Sequence, residues 1–337
     1  MKRLLALALC LIGGSTPLTT GCGPAKPELR IFTWSDYFAD GTIAAFEKET
    51  GCVVRIDYIE SSEKLRARLE GGRSGFDVVF PSDEVVPALI ANGLLEPLDL
   101  SKIAGAANIG AAYKGLPFDP KNAYSLPYMT GTTGIAYHVD KVKPAPDSWS
   151  AALTSQAGLV DDAREVFAAA LRAEGAPWTS DGLAKAAKRL DGWKPKVWDS
   201  NPKAKLIDGD VAIAQAFSGD ALQAADALGG KIAYVIPKEG GTLWIDNLCV
   251  AKGAKQTDLA HRFIDFLLRP DVSAAITNER RFGNPNEAAK KLIKKEILDN
   301  PLIFPGEDLK ARLSLLPPLS PDLKKLLDKS WAALKAR

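Results

Sequence analysis

Pro237-Lys-Glu-Gly-Gly-Thr-Leu-Trp-Ile-Asp-Asn-Leu-Cys-Val250 is the stretch around which the rest of the chain is arranged. It reads as the end of one strand, a glycine turn and a second strand. Period-two alternation in the second strand puts Trp244 and Asp246 on one face, with Leu243 and Ile245 on the other. An indole beside a carboxylate is costly to hold away from water unless something cationic lies against both. The pair therefore points to a cleft for a small organic cation.

Outward from this stretch, strands and helices alternate. Residues 29–33 read as a strand, followed by a loop with Trp34-Ser-Asp-Tyr37 and a helix over 42–50, with Asp40 as its cap and Gly51 as its stop. A strand over 52–58, a helix over 63–69 ending at Gly71-Gly72 and a short strand over 76–80 ending at Pro81-Ser82 come next. This alternation predicts an α/β fold with a parallel or mixed sheet covered on both faces. Ligands bind such sheets at the carboxyl ends of strands, where Trp34 and Ser82 fall. Residues 94–131 carry little periodic pattern before a strand-like 123–128, and 132–138 reads as a strand where the chain passes into a second lobe. A second alternation follows, with strands over 158–160, 211–214 and 231–236 and helices over 162–174, 181–190, 203–208 and 217–228. The last helices are expected over 258–268, stopped by Pro270, and over 286–298 and 320–336. Lys290, Lys291, Lys294 and Lys295 form a solvated face.

The 337 residues suggest two lobes, because single cores stop growing at roughly 250–300 residues. With 46% apolar and 25% charged residues, the composition is that of a globular protein. Met1-Lys-Arg3 and the apolar run over 4–12, too short to span a bilayer, make residues 1–21 a secretory signal. Leu18-Thr-Thr-Gly-Cys22 resembles a bacterial lipoprotein cleavage box, with its leucine one place further out than usual. Cys22 is thus a candidate lipidation site, the alternative being an ordinary signal peptide cut nearby. Loss of Lys2 and Arg3 takes the basic side chains from 43 to 41, equal to the 41 acidic ones, so there is no basic face for nucleic acid. Cys52 and Cys249 lie in apolar runs and read as packed small hydrophobes, although export would permit a disulfide between them.

Asp162 and Glu165, three apart at a helix start, fit a capping box; alternatively Asp161 caps and the two acids share a face aimed at a cation. Trp34 and Tyr37, flanking Asp36, either pack on a neighbouring lobe or stack on a cation or alkyl chain. His138 and His261 lie outside any metal-ligand or nucleophile motif, and no phosphate loop occurs, so neither metal nor cofactor is expected. Paired acids could also serve a glycoside hydrolase, which keeps an enzyme open as a second class.

Phe32-Thr-Trp-Ser-Asp-Tyr37, Asp161-Asp-Ala-Arg-Glu-Val166 and Pro237-Lys-Glu-Gly-Gly-Thr-Leu-Trp-Ile-Asp246 together resemble the spermidine/putrescine-binding proteins of bacterial polyamine ABC transporters. Weaker likeness runs through Phe76-Asp-Val-Val-Phe-Pro-Ser82, Pro117-Phe-Asp-Pro120 and Phe266-Leu-Leu-Arg-Pro-Asp-Val272. The resemblance implies a two-lobed periplasmic-binding fold, each lobe a mixed sheet flanked by helices, with two crossovers and the ligand clamped between lobes. It places residues 22–131 and 244–299 in the first lobe and 132–243 in the second, with 300–337 a helical segment packed on the second. Trp34 and Trp244 would sandwich a methylene chain, and Asp162, Glu165 and Asp246 would take amines, in a site that also includes Ser35, Asp36, Tyr37 and Ser82. The implied protein is not an enzyme. It is a monomer in the periplasm or on the cell exterior, held by lipid, and its partners are a polyamine and a membrane permease. Glu84 stands where the family has an aromatic, Phe217 where it has a tryptophan and Phe282 where it has a tyrosine. Glu84 would engage a further amine or face solvent, and Arg312 would repel a cation if it faced the cleft. The particular amine stays open, as does a receptor for a different organic cation.

Overall fold

A computed structural model describes residues 26–71, 74–152, 154, 156–191, 195–199 and 201–336. The expected signal segment, Cys22 and Gly72 lie outside the described residues. The strands are β1 (Glu28–Thr33), β2 (Val53–Tyr58), β3 (Val78–Val79), β4 (Leu95–Glu96), β5 (Leu126–His138), β6 (Gly158–Val160), β7 (Val197–Asp199), β8 (Ile213–Phe217), β9 (Ile232–Val235), β10 (Gly241–Ala251) and β11 (Leu313–Ser314). In one lobe β1 lies between β2 and β3, parallel to both, and β3 meets the second half of β10 antiparallel. In the other, the first half of β10 runs antiparallel to β5, which pairs with β8 and β9, and β8, β6 and β7 continue in parallel. Both sheets are mixed, and helices flank them.

β10 passes from one sheet to the other, and its register against β5 shifts between Asp246 and Asn247. A bulge of this kind bends a strand and re-aims a side chain. The loop after β3 is stitched to the same place: Asp83 N–H donates to Ile245 O at 2.8 Å and Asn247 N–H to Pro81 O at 2.9 Å. β5 is a single buried strand of 13 residues, where the sequence pattern suggested two. Gly131 and Gly134 sit mid-strand because nothing larger fits. A Cβ on Gly131 would come within 2.2 Å of the Trp244 ring, and one on Gly134 within 2.5 Å of Val235 O.

The first core gathers Leu29, Ile31, Phe46, Phe80, Leu248 and Phe263; another packs Leu159, Val166 and Phe167 against Leu327 and Leu334 of the helix Pro321–Lys335. Trp331 of that helix meets Trp198 of β7 edge to face at 5.0 Å. The helix Thr42–Thr50 is capped by Gly41 in the left-handed region, while Asp40 pairs with Arg280 at 3.0 Å. Pro270 does end one helix, but it also opens another, Pro270–Arg280, since proline suits a first helical turn. Residues 286–298 form a 3₁₀ turn, Glu287–Lys291, and a short helix, Lys295–Leu298, because Asn286 caps the turn and bonds back to Leu268 O at 2.8 Å. Cys52 and Cys249 are buried free thiols. Among the described residues no helix is long and apolar enough to cross a membrane.

Candidate functional site

The loop after β1, the loop after β3, the start of the helix Ala163–Ala173, the end of β8 and the bulge of β10 converge between the lobes. They surround a cavity of about 840 Å³ including its mouth, within the usual range for small-ligand sites. Trp34, Ser35, Tyr37, Ser82, Glu84, Asp162, Glu165, Phe217, Trp244, Asp246 and Phe282 all line it. Asp36 does not; Lys203 holds it at 2.6 Å. Arg312 is also away from the lining, its guanidinium donating to Ile236 O at 3.3 Å.

The aromatic surface is packed from behind. Trp244 lies over Gly131 and meets Phe282 at 5.4 Å and Phe217 at 6.0 Å, both edge to face. Phe282 in turn leaves room only for a glycine at 219, where a Cβ would come within 2.5 Å of the ring. Trp34 is fixed by its indole N–H, which donates to Phe80 O at 3.0 Å.

Asp246, 2% exposed, accepts hydrogen bonds from the hydroxyls of Tyr37 and Ser82. Burial pushes its carboxyl up to about 6, although both hydroxyls and the nearby Glu84 also act on it, the hydroxyls downward and Glu84 upward. Asp162 is itself the N-cap, accepting from Arg164 N–H at 2.9 Å and Glu165 N–H at 3.1 Å, whereas Asp161 pairs with Lys335 at 2.7 Å. The account with Asp161 as cap is thus overturned, yet Asp162 still faces the cavity. Burial, followed by Glu63, Glu84 and Glu165, holds Asp162 well above the usual carboxylate range. Glu165 accepts from Thr242 Oγ at 3.0 Å, and Arg172 donates to that same oxygen at 3.0 Å. Burial raises Glu165 to about 7 against the opposing pull of Arg172.

Glu84 does not face solvent: it lines the cavity and already has a cationic partner within the chain. Arg164 Nε lies 3.2 Å from its carboxylate, both side chains nearly buried. Such a pair is strongly destabilising to break from one side, because the remaining charge is left buried. Asp83, Asp220 and their neighbours were missed in the sequence. Asp83 accepts from Ile245 N–H at 2.8 Å, and Asp220 is held by Lys203 at 3.4 Å and by Asn201 at 3.2 Å. A helical lysine or a strand-end acid carries no local signal of a partner more than a hundred residues away.

Eight carboxylates line the cavity and, among the described residues, no basic side chain does. Lys64, Lys335, Arg164 and Lys203 answer Glu60, Asp161, Glu84 and Asp220 from outside the lining. Arg172 stands behind Glu165. Asp83, Asp162 and Asp246 have only hydrogen-bond donors, the backbone N–H groups and hydroxyls described above. His138 and His261 are elsewhere, bonded to Leu206 O at 2.8 Å and Thr257 O at 2.7 Å.

Two mixed sheets joined by crossing strands, with an acid-lined aromatic cavity between them, define a two-lobed solute-binding protein. Residues 41–305 match the bacterial extracellular solute-binding proteins, and the chain belongs to that family. It is 34% identical to the putrescine/cadaverine-binding protein of Pseudomonas aeruginosa, over 100% of both chains. Among solved structures, the spermidine/putrescine ABC transporter substrate-binding protein PotD of Streptococcus pneumoniae superposes with a TM-score of 0.76 at 28% identity, covering 92% of this chain and 99% of that one. The TpPotD lipoprotein of Treponema pallidum gives a TM-score of 0.80 at 30% identity, covering 92% and 100%.

Proposed function

We propose that this chain is the extracytoplasmic solute-binding component of an ABC importer and closes on a polyamine between its lobes. The observation that carries the proposal is the charge imbalance of the cavity: carboxylates without basic partners face aromatic rings. A polyamine brings ammonium groups on an apolar stem, which is what such a wall lacks. Trp34, Tyr37, Phe217, Trp244 and Phe282 would take the methylene chain. Asp246 with Ser82 would seat one ammonium, and Asp162 with Glu165 the other. Charge-assisted hydrogen bonds contribute about 1.5–3 kcal/mol each, so about three or four of them reach micromolar binding.

Closure would hinge where β5 and β10 cross, with residues 22–131 and 244–299 moving against 132–243 and 300–337. Export with loss of residues 1–21, a lipid on Cys22, a monomeric state and hand-over to a permease complete the proposal. Likeness to a Treponema lipoprotein supports the lipid anchor. Likeness to transporter binding components supports a non-catalytic use of the acids. Calorimetric titration with putrescine, spermidine and spermine, beside neutral sugars, tests this. An amine should bind at micromolar Kd or tighter and the sugars not at all. Silence with every amine would overturn the proposal, and turnover of a glycoside would put a hydrolase in its place.

A further inference from the structure

We propose that Lys203 sets the specificity of the cavity: its ammonium group fills the amine seat between Asp36 and Asp220, so the cavity takes a diamine and excludes a longer triamine. This rests on the amine-binding function proposed above. Lys203 Nζ lies 2.6 Å from Asp36 Oδ2, 3.1 Å from Gln223 Oε1 and 3.4 Å from Asp220 Oδ1. An ammonium has three protons, and three acceptors surround this one. One of these acceptors, Asp220, belongs to the cavity wall. Asp220, 5% exposed, and Asn201 both line the cavity, and Asn201 Nδ2 donates to Asp220 Oδ1 at 3.2 Å.

Asp36 supplies the acceptor from the first lobe. Its neighbours Ser35 and Tyr37 line the cavity while Asp36 does not, and its carboxylate faces Lys203 instead. It does so with φ at +58°, in the left-handed region that non-glycine residues seldom occupy and aspartate tolerates better than most. Lys203 opens the short helix Lys203–Ile207 in the second lobe, so its side chain reaches across the cleft to a first-lobe acid. A triamine is a diamine lengthened by one aminoalkyl arm. At this end of the cavity, that arm would have to place a second ammonium on acceptors that Lys203 already uses, and like charges at such distances repel.

The test is calorimetric titration of the full chain and of two neutral variants, Lys203→Met and Lys203→Gln, with putrescine and with spermidine. The unmodified protein should bind putrescine at least tenfold more tightly than spermidine. Each variant should shift that ratio at least tenfold toward spermidine, and adding Asp220→Asn to Lys203→Gln should cancel the gain. An unmodified protein that prefers spermidine overturns the proposal, as does a folded variant with an unchanged ratio or with no binding of either amine. If one variant fails to melt cooperatively, the other decides. If the unmodified protein binds no amine, it is the amine-binding function that fails.

Discussion

At Asp246 a buried carboxylate meets two hydroxyls; at Asp220, in the same cavity wall, it meets an ammonium supplied by the protein. Burial raises both carboxyls, but at Asp220 Lys203 pulls in the opposite direction, whereas at Asp246 only hydrogen bonds from Ser82 and Tyr37 do. The two places differ in what they still lack. At one end of the cavity the protein supplies an ammonium before any ligand arrives, and at the other it supplies only hydrogen-bond donors. A binding protein gains from this division, since charge that is matched internally limits the ligand to the charges that remain.

The largest effect should come from Asp246→Asn, which keeps the shape and removes the charge. Amine binding should weaken by about a hundredfold, the loss of one or two charge-assisted hydrogen bonds of ~1.5–3 kcal/mol each. The thermal midpoint without ligand should stay level or rise by about a few degrees, because an ionised carboxylate with a raised pKa opposes folding. A fall in midpoint with unchanged affinity would place Asp246 in the scaffold. Asp220→Asn should do far less to binding: putrescine affinity should change by less than about threefold, because Lys203 already holds that carboxylate and keeps Asp36 and Gln223 as acceptors. Equal losses of affinity in the two variants would erase the contrast between the two ends.

How much of this was legible in the sequence follows from the range of the interactions. Trp244 and Asp246 could be placed on one face because strand alternation is local, and the α/β order followed from alternating periodicities. The resemblance brought Trp34, Asp162 and Glu165 to the same cleft. The ion pair of Glu84 is not legible in the sequence because its partner, Arg164, lies in the other lobe, at the start of the helix Ala163–Ala173. Lys203, at the start of an expected helix, gives no sign of its partner for the same reason, since Asp36 is 167 residues away in the chain. Residues 123–128 and 132–138 read as two strands because the reason for the glycine between them at 131, the Trp244 ring, belongs to another strand. Capping showed the opposite limit: Asp162 both caps a helix and faces the cavity, two roles that a sequence pattern offers as alternatives.

A bound cation completes an acidic wall which, without one, holds its protons too tightly. Asp246 near 6 and Glu165 near 7 lie above the usual carboxylate range, at roughly 3.9–4.3, that both would have in the unfolded chain. Their ionisation therefore costs stability that is absent below about pH 4, grows through the interval up to about pH 7 and is complete above it. A bound amine lowers both values, so affinity should fall by about a hundredfold from pH 8 to pH 5.5, while the ligand itself keeps its charge with amine pKa values near 10.4. The most direct measurement is calorimetric titration with putrescine at pH 6.5 in two buffers of different ionisation enthalpy. At least about one proton should be released per amine bound, and fewer at pH 8. Binding at pH 6.5 with no proton released, or with protons taken up, would contradict the account.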